Sequence, residues 1–185
     1  VNNTAKTITV EDSFTISAGA AVNWAVGGRR ALLTHADSDD LLLADAKPGW
    51  TIQLVDTGTP YSYGLSISVS GDSVVGPITI EGDSSSDATA IASSTTSVFT
   101  VSGSASGLKF KRLELSKTGT QNSPTVRLSS SGTRGFIFED CDISNASNGG
   151  AYWCGVLHDG TSTFPRVLFR NCYLHDTFKE GYKKK

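Results

Sequence analysis

The sequence predicts an all-β protein, a right-handed parallel β-helix with about 28–31 residues per coil. Three observations predict it. Similar segments recur at near-constant spacing, each segment alternates apolar with polar residues, and Gly and Ser break the chain between them.

The repeat is clearest in residues 108–115, 136–143 and 167–174, where apolar residues fall at the first, third, sixth and eighth positions. Two upstream segments, 50–53 and 78–81, share the first half of the pattern. The third positions form the series Ile52, Ile80, Phe110, Phe138 and Phe169, with successive spacings of 28, 30, 28 and 31 residues. Period-2 alternation marks strands with one buried face, and stacking them in register makes a solenoid core. A second apolar column is expected from Val69, Phe99, Val126 and Val156. A helical array is the rival architecture, but the repeats carry no stripe at three- and four-residue spacing.

Residues 38–46 read as a short capping helix, opened by Ser38, Asp39 and Asp40 and stopped by Lys47-Pro48-Gly49. Such a helix covers the open end of the solenoid that occupies residues 38–185. Residues 1–37 form a separate segment, a cap or an attachment module, with an edge hairpin expected from 7–10 and 14–16. The sequence opens on Val1 without any Met and closes on three lysines, and it reads as a truncated or processed piece of a longer protein.

Composition narrows the function classes. Hydrophobic residues make up 38% and charged residues 18%, a folded profile rather than a disordered one. A formal net charge of -2 argues against a nucleic-acid partner, which selects a basic face. No apolar run reaches the ~18 residues that mark a membrane span. Cys141, Cys154 and Cys172 contain no CxxC pair and match neither a zinc site nor a disulfide framework. Cys141 and Cys172 share one inward position and are expected to be reduced core thiols.

Leu43-Ala44-Asp45-Ala46-Lys47-Pro48-Gly49-Trp50-Thr51-Ile52-Gln53-Leu54 resembles the cap-helix entry of β-helical carbohydrate-active proteins. Gly76-Pro77-Ile78-Thr79-Ile80-Glu81-Gly82 resembles the second coil of the alginate lyase and chondroitinase B family of polysaccharide lyases. Phe138-Glu139-Asp140-Cys141-Asp142-Ile143 and Phe169-Arg170-Asn171-Cys172-Tyr173-Leu174 are similar to rungs found there and in phage tail-spike or virion β-helix modules. The resemblance spans roughly residues 41–176 and implies the fold more strongly than an activity, because rung patterns recur across unrelated functions. For a lyase it implies basic residues late in the chain, with Lys179 in the expected region and His175 and Arg170 as its partners. The further coil that carries the matching arginine lies outside the sequence.

The remaining candidates come from the pattern itself. Outward positions give the column Gln53, Glu81, Lys111, Glu139 and Arg170, whose alternating signs predict a salt-bridge ladder. Glu114, Asp142 and Tyr173 form another outward column, in which the two acids are a carboxylate pair for sugar or calcium contact or for glycosidase chemistry. Tyr152 and Trp153 are aromatic candidates for stacking on a sugar. His158-Asp159 and His175-Asp176 are histidine–carboxylate neighbours expected in turns. Ile137 and Leu168 should be outward neighbours, an apolar spot suited to subunit contact. The reading that follows is a non-catalytic structural and adhesive module of a tail spike, fibre or virion surface protein, at a virion or extracellular surface. Other copies, other surface proteins or a polysaccharide are its expected partners. A polysaccharide lyase or hydrolase fragment and a bacterial surface adhesin are the alternatives, and no cofactor is expected beyond calcium.

Overall fold

The computed structural model describes residues 29–30, 46–54, 60–62, 64–83, 89–119, 122–146, 154–161, 166–176 and 180–184. Among them there is no helix, and every strand pairing is parallel. The chain is an all-β parallel solenoid made of three sheets, to which successive coils contribute strands in turn.

The first sheet stacks β1 (Arg29–Arg30), β2 (Thr51–Leu54), β5 (Ile78–Glu81), β8 (Leu108–Lys111), β11 (Phe136–Glu139) and β14 (Val167–Arg170). The second stacks β3 (Tyr61–Ser62), β6 (Thr89–Ser93), β9 (Leu113–Lys117), β12 (Asp142–Asn145) and β15 (Tyr173–His175). The third stacks β4 (Leu65–Ile67), β7 (Phe99–Val101), β10 (Val126–Leu128), β13 (Cys154–His158) and β16 (Glu180–Lys184).

The first-sheet column is as the spacing predicts: Ile52, Ile80, Phe110, Phe138 and Phe169 are register partners from coil to coil. The rings of Phe110, Phe138 and Phe169 stack at centroid separations of 4.9 and 5.2 Å, and Phe99 reaches Phe110 from the third sheet at 5.1 Å. Strand spacing holds the aromatic faces at van der Waals contact, so a single column of rings forms the axis of the core.

One column needs correction. Phe99, Val126 and Val156 do align, but their partner in β4 is Leu65 rather than Val69. Val69 lies beyond the strand and packs only partly against the core. A constant offset from Ile52 points to Val69, whereas the connection from the second sheet to the third, Ser62 to Leu65, is shorter in this coil than in its successors, and turn length sets which residue enters the sheet.

A sharp corner separates the first and second sheets. Arg112, Asp140 and Asn171 follow β8, β11 and β14 and have φ of 50, 54 and 51°. Only a left-handed residue turns the chain so abruptly between two strands, and Asp and Asn tolerate that conformation better than most. In the coil above, Gly82 takes the place that Arg112 has in its own coil, and a Cβ there would sit 2.0 Å from the Arg112 carbonyl oxygen. The corner amides continue the ladder, with Arg112 N–H donating to Glu139 O and Asp140 N–H to Arg170 O.

The expected capping helix over 38–46 falls outside the described residues except for Ala46, which is buried and not helical. The Lys47-Pro48-Gly49 stop is a turn: Trp50 N–H donates to Lys47 O at 3.1 Å, with Gly49 at φ 81°. The hairpin expected within 1–37 lies outside the described residues.

Candidate functional site

Alternation in β9, β12 and β15 turns Leu115, Ile143 and Leu174 inward and leaves two polar columns on the outer face of the second sheet. Glu114, Asp142 and Tyr173 are register partners in one column, and Ser116, Ser144 and His175 in the other. Tyr173 is 65% exposed. Its ring lies 4.6 Å from the His175 ring at an interplanar angle of 22°, a stacked pair two residues apart on one strand.

His175 joins the columns. Its Nε2 is 2.7 Å from Asp142 Oδ1, diagonally across to the preceding coil, and its Nδ1 is 2.7 Å from Asp176 Oδ2. Asp176 adopts φ 53°, the left-handed bend that carries its carboxylate back toward the ring. Carboxylates facing both ring nitrogens favour the doubly protonated cation, the only form with two N–H donors. Desolvation is the largest single influence on its pKa and acts to lower it. The hydrogen bonds and charges of Asp176 and Asp142 together outweigh it, so the pKa lies above the ordinary histidine value. At the adjoining corner Asn171 Nδ2 donates to Asp140 Oδ1 at 3.2 Å.

The first sheet carries the predicted ladder on its outer face. Lys111 Nζ is 3.1 Å from Glu81 and 3.9 Å from Glu139, and Arg170 Nη1 is 2.7 Å from Glu139 Oε2. Two further cations join it: Lys109 at 3.1 Å from Glu139 and Arg112 at 2.7 Å from Glu81. The Lys109 hydrogen bond leads the influences that hold the Glu139 carboxyl below its usual range, against some desolvation, with the charges of Lys109, Arg170 and Lys111 adding to it. Arg170 is thus placed in a structural ion pair.

The two histidine–carboxylate neighbours behave differently from one another. His158 ends β13 facing inward, buried, with its ring edge-on to Phe136 at 6.5 Å. Asp159 points away, held by Arg127 Nη2 at 2.7 Å and Ser129 Oγ at 2.7 Å. His158 therefore belongs to a strand and the core, not to a turn, because its alternation phase matches Val156. His175 likewise ends a strand, β15, although Asp176 lies in the bend beyond it.

Lys179, Tyr152 and Trp153 lie outside the described residues. Glu114 and Asp142 are brought together as predicted, but Asp142 is engaged by His175, a partner that the column pattern did not reveal. Ile137 and Leu168 are neighbours in register, with Leu168 exposed. Among the described residues no group of three or more His, Cys, Asp or Glu side chains is arranged to hold a metal ion. In comparisons with protein-family models, curated proteins and solved structures, nothing matches the chain.

Proposed function

We propose that the chain is a non-catalytic structural and adhesive β-helix module, of the kind that builds phage tail spikes, fibres or virion surface proteins, and that the outer face of its second sheet contacts a glycan. The observation that carries the reading is the exposed Tyr173 ring, braced by His175 on a continuous parallel sheet, with Glu114 and Asp142 in register beside it. An aromatic face offers apolar area to the C–H side of a sugar ring, and carboxylates accept hydrogen bonds from its hydroxyls. The sheet holds these groups in place, so little ordering entropy is lost on binding.

Charge selects the sugar. Asp142 and Asp176 both contact the His175 ring and Glu114 stands in register beside Asp142, an excess of carboxylates that favours neutral or amino sugars over uronic acids. The lyase alternative calls for a free base and a free charge neutraliser acting on an acidic sugar. Both ring nitrogens of His175 are engaged by carboxylates, and Arg170 is paired with Glu139. The outward Ile137 and Leu168 support an assembly contact.

Titration calorimetry with neutral, amino-sugar and uronate oligosaccharides tests the reading. Binding of the first two classes, weakened at least tenfold by Tyr173→Ala, is the expected result. Light scattering should report an oligomer. Depolymerisation of alginate or a glycosaminoglycan with new unsaturated ends would overturn the proposal in favour of a lyase, and absence of binding to any class would remove the glycan contact.

A further inference from the structure

The chain enters β5 through a short hairpin, residues 72–76. Asp72 and Gly76 form an antiparallel bridge, with Asp72 N–H donating to Gly76 O at 2.8 Å and Gly76 N–H to Asp72 O at 3.0 Å. The Asp72 side chain closes the loop from within, its Oδ1 accepting from Val74 N–H at 2.7 Å and from Val75 N–H at 3.2 Å. Arg134, at the same corner before β11, clamps the base: Nη1 donates to Gly71 O at 2.8 Å and Nη2 to Asp72 Oδ2 at 3.3 Å.

This braced loop turns apolar side chains to solvent. Val74 is 91% exposed and Val75 66%. Val75 leans on the turn at the head of β2, where a Cβ on Gly49 would stand 2.9 Å from Val75 Cγ1, and the adjoining Trp50 is 48% exposed. The other large exposed hydrophobics among the described residues are Leu168 and Tyr173, so exposure is concentrated at this tip rather than scattered.

Charge along the same corner has one sign. Lys47 begins the Gly49 turn and is exposed, Arg134 is partly exposed, and Arg166 is exposed one coil beyond Arg134, where its carbonyl accepts Phe136 N–H. Among the described residues of these turns the only acid is Asp72, already paired with Arg134. The edge is cationic on a chain whose net charge is -2.

We propose that this corner is a membrane-contact site, in which the Val74–Val75 tip enters an anionic lipid surface, Trp50 sits at the headgroup level, and Lys47, Arg134 and Arg166 face the anionic headgroups. A loop entering lipid loses the water that solvates its amides, so its N–H groups need internal partners. Those of Asp72, Val74, Val75 and Gly76 have them. Tryptophan favours the boundary between apolar and wet layers, and basic residues near the surface are drawn to anionic lipids. The hairpin is fixed before contact, so little ordering entropy is lost. A socket on a protein partner would also cover two valines. Arg166 lies about three coils, on the order of 14 Å, from the tip, and cations spread over that distance favour a partner that is negative over a broad surface.

Co-sedimentation with vesicles of equal parts phosphatidylcholine and phosphatidylserine tests the site. These lipids carry no sugar, so a glycan contact by the second sheet cannot produce the result. The chain should pellet with them at low ionic strength and bind pure phosphatidylcholine vesicles about tenfold more weakly. Combining Val74→Ser with Val75→Ser should reduce partition into the mixed vesicles about tenfold. Neither valine belongs to the core, so the melting temperature should hold. If the double variant is unstable, Val74→Ser alone should give a smaller loss in the same direction. The proposal is overturned by a chain that stays in the supernatant, by equal binding to both compositions, or by undiminished binding of the valine variants. Valine-dependent binding to a protein with no binding to vesicles overturns it equally.

Discussion

His175 Nε2 lies 2.7 Å from Asp142 Oδ1 on the preceding coil. The residue directly opposite Asp142 is Tyr173, so the contact is diagonal, and it forms because the imidazole leans along the strand onto the Tyr173 ring. Such diagonal neighbours are within reach of long or aromatic side chains on a sheet face.

This pair titrates with a definite sign. The folded-state pKa of His175 is raised, so its stabilising contribution is complete below the unfolded value near 6.5 and is lost as pH rises through the folded value. Proton NMR of the imidazole should give a midpoint above 6.5, and Asp142→Asn should lower it. A midpoint at or below the reference value in the unsubstituted protein would contradict the arrangement.

The charge ladder should be sensitive to salt. Lys111→Glu sets three like charges in a row beside Glu81 and Glu139. The melting temperature should fall by on the order of 1–3 °C at low ionic strength, with the difference shrinking in molar salt. Equal melting temperatures at low salt would mean that the ladder contributes nothing to stability.

Phe138 is fully buried between Phe110 and Phe169. Phe138→Ala removes the middle ring of the stack and leaves a cavity that the parallel backbone cannot close. Denaturant unfolding should show a loss of about 3–5 kcal/mol. A loss under ~1 kcal/mol would show that neighbouring side chains collapse into the space.

Lys117 and Asn145 are buried register partners at the inner end of the second sheet. Lys117 Nζ donates to Thr118 O at 2.7 Å and Ser94 O at 3.2 Å, and desolvation lowers its pKa from the ordinary lysine value. A depressed lysine makes folding more favourable as pH rises from the folded value toward the unfolded one at ~10.4. The stability of the unsubstituted chain relative to Lys117→Met should therefore increase between neutral and alkaline pH, as calorimetry would register; a difference that is flat or falls with pH counts against a desolvated amine. Asn145 Nδ2 donates to Cys154 O at 2.9 Å and Ser123 O at 3.1 Å. Asn145→Ala strands those acceptors and should cost about 1–3 kcal/mol.

The fold was legible in the residues because a solenoid writes itself repeatedly. Ile52, Ile80, Phe110, Phe138 and Phe169 recur at nearly one interval, and alternation around each fixes which face is buried. The ladder and the Glu114–Asp142–Tyr173 column follow from the same register, since residues at equal offsets from a core position become neighbours. Where a turn varies in length the inference slips, as it does in naming Val69 for Leu65. Contacts that leave the column also need the tertiary structure: the reach of His175 to Asp142, Arg112 beside Glu81, Lys109 beside Glu139, and the unequal exposure of Cys141 and Cys172. The physical reason is the range of the interactions. Hydrophobic periodicity is set by the local backbone and is visible along the chain, whereas a diagonal ion pair depends on rotamers and on which coil stacks against which.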